Sequence, residues 1–309
     1  MKNKYFTRNF VPAAQNLTDD KKGMVISMEF GVQIFGCMSD CKKDPEQFFK
    51  TLAEAGYHQI EPCVLFDDPR VMAEKARSSG NEFMERLAEN LWKPEELPFY
   101  IKLMNQYGLE LSSVHVFAED VFEVADKMIE TAKMNKISAY AVNCNQETIT
   151  EDYITFAEDC RRLSIQLREH NIELWIHNNG AEIKNKVKYQ GRQVPILSVI
   201  LEQCKEAGVG AQIDVGWVLY GGVDPVSYLL EVKDYVRSVH FKDLKKDFAT
   251  RHDGDIFACL GDGALDVRDI LGCMPQLKPG TTVLIDQDAS DDDIMEDMRT
   301  SYKVLTQAL

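Results

Sequence analysis

Eight short apolar runs of β-type residues, each followed by an amphipathic stretch, constrain this chain more than any other feature. The runs are Met24–Phe35, Gln59–Val64, Glu110–Val116, Ser138–Val142, Ile172–His177, Val209–Val215, Val236–Phe241 and Thr282–Asp286. Helical patterns fall between and after them, at Asp44–Ala55, Pro94–Tyr107, Glu119–Asn135, Thr150–His170, Pro195–Ala207, Pro225–Val232, Asp266–Met274 and Asp291–Leu305. The first opens with an Asp-Pro start and stops at Gly56, a cap at each end. Apolar runs that do not alternate with polar residues are buried on both faces, as parallel strands flanked by helices are. Eight such units predict an α/β fold, a (β/α)8 TIM barrel in a single domain over residues 24–309. A doubly wound open sheet is disfavoured, because no G-x-G-x-x-G follows the first run. Residues 1–23 read as a polar leader, and about 66–92 as a helical insert after strand 2.

Charge and composition narrow the function. A net charge of −15 argues against a nucleic-acid partner, since phosphate contacts need a basic surface. No apolar run reaches the ~18–20 residues that span a bilayer, and the N-terminus lacks the apolar core of a secretory signal. The eight cysteines are scattered, with no C-x-x-C pair, and read as reduced buried thiols of a cytoplasmic protein.

The strand ends carry the chemistry. Run five ends at His177, with Asn178, Asn179 and Glu182 just beyond; run six reaches Asp214, run seven His240 and Lys242, and run eight Asp286. Parallel strands bring such residues to one end of a barrel. A lone carboxylate at the end of Gly210–Ile213 would cost several kcal/mol to bury, so Asp214 calls for a cation, a metal or a strong donor. Glu182, Asp214, His240 and Asp286 form an oxygen-rich set suited to Mn2+, Mg2+, Co2+ or Fe2+ more than to a structural zinc. Lys242 lies two residues past His240 and so points the same way along a strand. His115, at the end of the third run, and Asn145, Asn179 and Trp217 are candidate substrate contacts, Trp217 as an apolar wall. Glu61, at the end of run two, is a further polar group at the mouth.

The segments DVGWVLYGGVDPVSYLL at 214–230, VRSVHFKDL at 236–244, VLIDQDAS at 283–290 and WIHNNGAEI at 175–183 resemble the xylose-isomerase-like TIM-barrel superfamily, the sugar phosphate isomerase/epimerase group. The fifth-strand segment resembles the His-Asn-x-x-x-Glu branch, with inosose dehydratases and C-glycoside deglycosidases among its relatives. The resemblance implies one divalent metal, with manganese first and Mg2+, Co2+, Fe2+ or Zn2+ as alternatives. It implies that Asp214, His240 and Asp286 are ligands. At the fourth corner, relatives place a Glu where His177 stands. Residues alone do not separate His177 from Glu182 there; Glu182 is assigned as ligand and His177 as the free base, poised near neutral pH.

The expected activity is proton abstraction α to the carbonyl of a keto-sugar or inosose, followed by β-elimination, with His177 and Lys242 catalytic. A sugar isomerase or epimerase working through an enediolate is the alternative, and a non-catalytic scaffold subunit a further one. A small-molecule sugar or glycoside is the expected partner, in a homo-oligomer that in some relatives includes a small second subunit.

Overall fold

The structure, a computed structural model, describes residues 28–79, 85, 88–144 and 148–309. The expected leader over 1–23, part of the insert and Asn145 lie outside these residues. The barrel strands are β1 (Phe30–Gln33), β2 (Gln59–Glu61, then Cys63–Leu65), β3 (Glu110–Leu111, then Val114–Phe117), β4 (Ala139–Asn143), β5 (Glu173–His177), β6 (Gly210–Asp214), β7 (Val236–Phe241) and β8 (Thr282–Ile285). Every neighbouring pair in the series is parallel, and β8 returns to β1, so the sheet closes on itself. Closure passes through two interrupted strands. Pro62 has no N–H for the ladder, and there β2 switches partners: its first half pairs with β1, while its second half takes Trp92 on that side. The apolar runs predicted all eight strands, but not these breaks.

Eight outer helices follow: α1 (Pro45–Ala55), α2 (Leu97–Gln106), α3 (Ala125–Asn135), α4 (Ile149–Arg168), α5 (Ile196–Cys204), α6 (Pro225–Glu231), α7 (Val267–Cys273) and α8 (Ile294–Ala308). Local signals set their ends. Asp44 caps α1 by accepting from Gln47 N at 3.1 Å, and Gly56 ends it at φ 109°, a backbone that a side chain would strain. Tyr57 then donates to the Met298 carbonyl at 2.8 Å, tying α1 to α8 across the closure.

The outward strand residues, among them Val32, Ile60, Tyr140, Ile176, Ile213, Val239, Phe241 and Ile285, are fully buried beneath the helices. Leu284, Ala141, Trp175 and Cys63 face inward with His240 and His115, but the inward residues at the C-terminal ends of the strands are polar, which is unusual for a packed barrel interior. In the described part of the insert, Pro69–Ser79 is helical. Trp92 is buried and stacks on Tyr100 at 4.0 Å, so this end of the insert belongs to the core. No helix among the described residues is long and apolar enough to cross a membrane. All eight cysteines are free, and only Cys259 is not fully buried.

Candidate functional site

Register places the polar strand ends in layers. Gln212, Ser238 and Thr282 are cross-strand neighbours; Asp214 and His240 pair one layer higher, and Lys242 and Asp286 extend beyond them at the C-terminal mouth. His177 pairs with Asn143 on one side and Gln212 on the other. Asn178 fastens β5 to β6 by exchanging hydrogen bonds of 2.9 and 3.1 Å with the Asp214 backbone. Asp214 Oδ1 caps the next turn by accepting from Trp217 N at 3.0 Å. That turn needs Gly216, because a Cβ there would lie 2.2 Å from the Lys242 carbonyl oxygen.

One ligand atom from each of His177, Asp214, His240 and Asp286 lies within 4.8 Å of the others, and all four residues are buried. His177 Nε2, Asp214 Oδ2, His240 Nε2 and Asp286 Oδ1 lack a hydrogen-bond partner. Gln212 Oε1, Ser238 Oγ and Thr282 Oγ1, one layer down, also lack one. Such buried atoms are costly, and two imidazoles with two carboxylates form a donor set that a borderline divalent ion satisfies. These residues therefore fit a metal.

Glu182, assigned to this set from the sequence, stands apart from it. It lies on the short helix Ala181–Lys184, where Oε1 accepts from Asn179 N at 2.7 Å. It is fully buried, burial raises its pKa, and its Oε2 also lacks a hydrogen-bond partner, but its oxygens are not among the atoms that converge. His177 occupies the fourth corner instead. Its imidazole is not poised near neutral pH as expected, because burial pushes it down to about 4 and keeps it uncharged.

Lys242 sits among carboxylates, its Nζ 3.3 Å from Asp214 Oδ2, 3.0 Å from Asp286 Oδ2 and 3.0 Å from Asp288 Oδ2. The ammonium also faces the rings of Trp217 and Phe257 at 5.5 and 5.6 Å. Burial disfavours its charge, but Asp286, Asp288 and Asp214 outweigh that and hold its pKa well above the ordinary value. Asp288 moves the other way. Burial pushes its carboxyl up to about 6, against the pull of Lys242.

On the far side lies Glu61, fully buried. Its Oε2 accepts from Gln212 Nε2 at 2.6 Å and from the Ser113 hydroxyl. Its Oε1 lies 3.4 Å from both His115 Nδ1 and His240 Nε2. Burial would raise the Glu61 pKa, but the two imidazoles drive it well below the ordinary range. His240 shows the reciprocal effect: burial opposes its charge, yet Glu61 and Asp286 raise it to about 10.

A cavity of about 910 Å3 opens over this cluster. His115, His177, Asn179, Trp217, Lys242 and Asp286 line it, together with Phe35 stacked on Phe117 and Phe122 set edge-on to Phe156. Sequence reasoning missed Asn143 and Asp288. The signal for Asp288 was its i, i+2 spacing from Asp286, which repeats the His240–Lys242 spacing. Asn143 ends β4 after a run of small and apolar residues and carried no signal of its own.

No family model matches the chain, and no curated protein matches it. Solved structures do. A sugar phosphate isomerase/epimerase from Parabacteroides distasonis superposes with a TM-score of 0.62 at 17% identity, over 93% of this chain and 96% of its own. A probable 3-DHS dehydratase from Bacillus anthracis gives 0.59 at 13% identity, over 90% and 99%. A xylose isomerase-like TIM-barrel protein from Mycobacterium smegmatis, in complex with magnesium, gives 0.59 at 15%, over 92% and 98%. The fold is that of the xylose isomerase-like TIM barrels, as the sequence segments implied.

Proposed function

We propose that the protein is a divalent-metal-dependent lyase that removes a proton α to the carbonyl of an unphosphorylated keto-sugar or inosose and expels a β leaving group. The observation that carries the reading is the convergence of ligand atoms from four buried residues, His177, Asp214, His240 and Asp286, each with a side-chain atom that makes no hydrogen bond, beside a cavity that His177 and Asp286 line. These residues would hold the metal; the mixed nitrogen and oxygen set suits a first-row divalent ion, of which manganese is the one the sequence resemblance puts first. Bound there, the metal supplies Lewis-acid polarisation of the carbonyl.

The remaining steps fall to the chain. Lys242, held as an ammonium, donates to the oxygen on which negative charge develops. Asp288, which lines the cavity beside it and has its carboxyl pushed up to about 6, accepts the α-proton. The C–H electrons pass into an enolate. They return to re-form the C=O and make a C=C bond as the β substituent leaves with its bonding pair. Trp217 and Asn179 border the same cavity and position the ring.

Charge argues against a phosphorylated substrate, despite the description of the Parabacteroides protein. Glu119, Asp120, Asp152 and Asp159 line the cavity rim, and Lys242, the one lysine or arginine among the described lining residues, is already shared by three carboxylates. Elimination is favoured over isomerisation because a cavity of about 910 Å3 carries Phe35, Phe117, Phe122 and Phe156 in its lining, apolar surface that suits a leaving group such as a glycoside's aglycone.

Manganese-loaded protein supplied with keto-sugars, inososes and keto-glycosides in D2O tests the reading. Release of the β substituent is the expected outcome. Solvent deuterium entering a substrate that keeps all its substituents would transfer the protein to the isomerases and epimerases. Inertness toward every member of the set would remove support for the reaction.

A further inference from the structure

We infer that Glu61 is a positioning residue: acting through His115 and Asn143, its carboxylate fixes the ring proton of His177 on Nδ1 and leaves Nε2 as a lone pair directed into the site. This deepens the reading of the site given above. It stands on the bonding pattern, though, and holds or fails without reference to activity.

The chain of contacts is continuous. Glu61 Oε1 meets His115 Nδ1 at 3.4 Å, His115 Nε2 meets Asn143 Nδ2 at 2.9 Å, and Asn143 Oδ1 meets His177 Nδ1 at 2.9 Å. Each link has one workable polarity once the first is set. A carboxylate already accepting from Gln212 and Ser113 can only accept, so His115 Nδ1 carries a proton. Asn143 presents its NH2 to His115 Nε2, which therefore accepts. The amide oxygen is thereby turned toward His177, whose Nδ1 must donate. His177 Nε2 is left without a hydrogen, and it is one of the buried atoms with no partner.

A competing force exists. Asp214 Oδ2 lies 3.7 Å from His177 Nε2 and would draw the proton to that side. At 3.7 Å the contact is outside hydrogen-bond range, and the same oxygen lies closer, 3.3 Å, to the Lys242 ammonium. The 2.9 Å bond to Asn143 decides the tautomer. The arrangement matters because an imidazole can ligate a metal or accept a proton only through an unprotonated nitrogen.

The test is a long-range 1H–15N correlation of 15N-histidine-labelled, metal-free full-length protein at pH 7, with His177 assigned by the loss of its signals in His177→Ala. Wild type is expected to show a protonated Nδ1 and a pyridine-type Nε2. Glu61→Gln can donate to His115 and so run the relay backwards, moving the His177 proton to Nε2; Glu61→Asp keeps the wild-type pattern. Asn143→Leu cuts the relay in the middle while leaving Ser113 and Gln212 on Glu61, so a fold defect at Glu61 cannot explain its effect. It is expected to give averaged His177 nitrogens. Manganese affinity should fall ~10–100-fold in Glu61→Gln and recover in Glu61→Asp. A proton on Nε2 in wild type, or a pattern unchanged in both Glu61→Gln and Asn143→Leu, overturns the inference.

Discussion

Replacing Lys242 with methionine is expected to lower turnover ~10²–10³-fold and to make the fold depend on metal. Methionine retains an unbranched side chain that can pack on Trp217 and Phe257, so the change is mainly one of charge. Without the ammonium, Asp214, Asp286 and Asp288 crowd together with only the His240 imidazole, beside Asp286, to offset them. Breaking a buried ion pair in this way typically costs ~3–5 kcal/mol, because an uncompensated charge stays behind. A divalent ion at the neighbouring donor set would restore the balance. Manganese should therefore raise the melting temperature of the variant more than that of wild type, since the competing positive charge is gone. Thermal unfolding with and without manganese reads both effects. Equal stability of the two metal-free proteins would show that Lys242 does not neutralise the cluster.

The metal-free protein is also expected to be most stable near pH 6.5, with a loss on each side, because two neighbouring imidazoles are shifted in opposite directions. His240 is raised to about 10 by Glu61 and Asp286, which overcome its burial. A group whose folded pKa lies above its unfolded value, ~6.5 for His, stabilises fully below that value. Its contribution is lost as pH climbs through about 10. His177, lowered to about 4 by burial, stabilises above ~6.5 and loses its contribution as pH falls through about 4. Each limb should be worth on the order of 2–4 kcal/mol. Urea unfolding from pH 4 to 10 measures both, and His240→Gln should remove the alkaline limb alone. A profile flat across neutrality would mean that His240 is not held as a cation between Glu61 and Asp286.

What the sequence foretold and what it missed divide along a physical line. Along a strand, side-chain direction follows from counting by two, so an apolar run ending in a polar residue locates that residue at the mouth. His177, Asp214, His240, Lys242 and Asp286 were legible for this reason. Glu182 was not, because it lies beyond the strand, and the turn through Asn178, Asn179 and Gly180 decides where it points. There its Oε1 accepts from the Asn179 N–H, and it is not among the residues whose ligand atoms converge. The run Gln59–Val64 read as one strand, and the loss of a ladder N–H at Pro62, with the two halves taking different partners on one side, went unread. Glu61 read as one polar group among several. Its importance comes from contacts with β3, β6 and β7, all distant in sequence.

The most direct test is metal content by mass spectrometry, with wild type beside His177→Ala and Glu182→Gln, each purified after growth with manganese and shown to be folded by circular dichroism. The account predicts about one divalent ion per chain in wild type and in Glu182→Gln, and its loss in His177→Ala. Loss in Glu182→Gln with retention in His177→Ala would return the fourth corner to Glu182 and contradict the site described here.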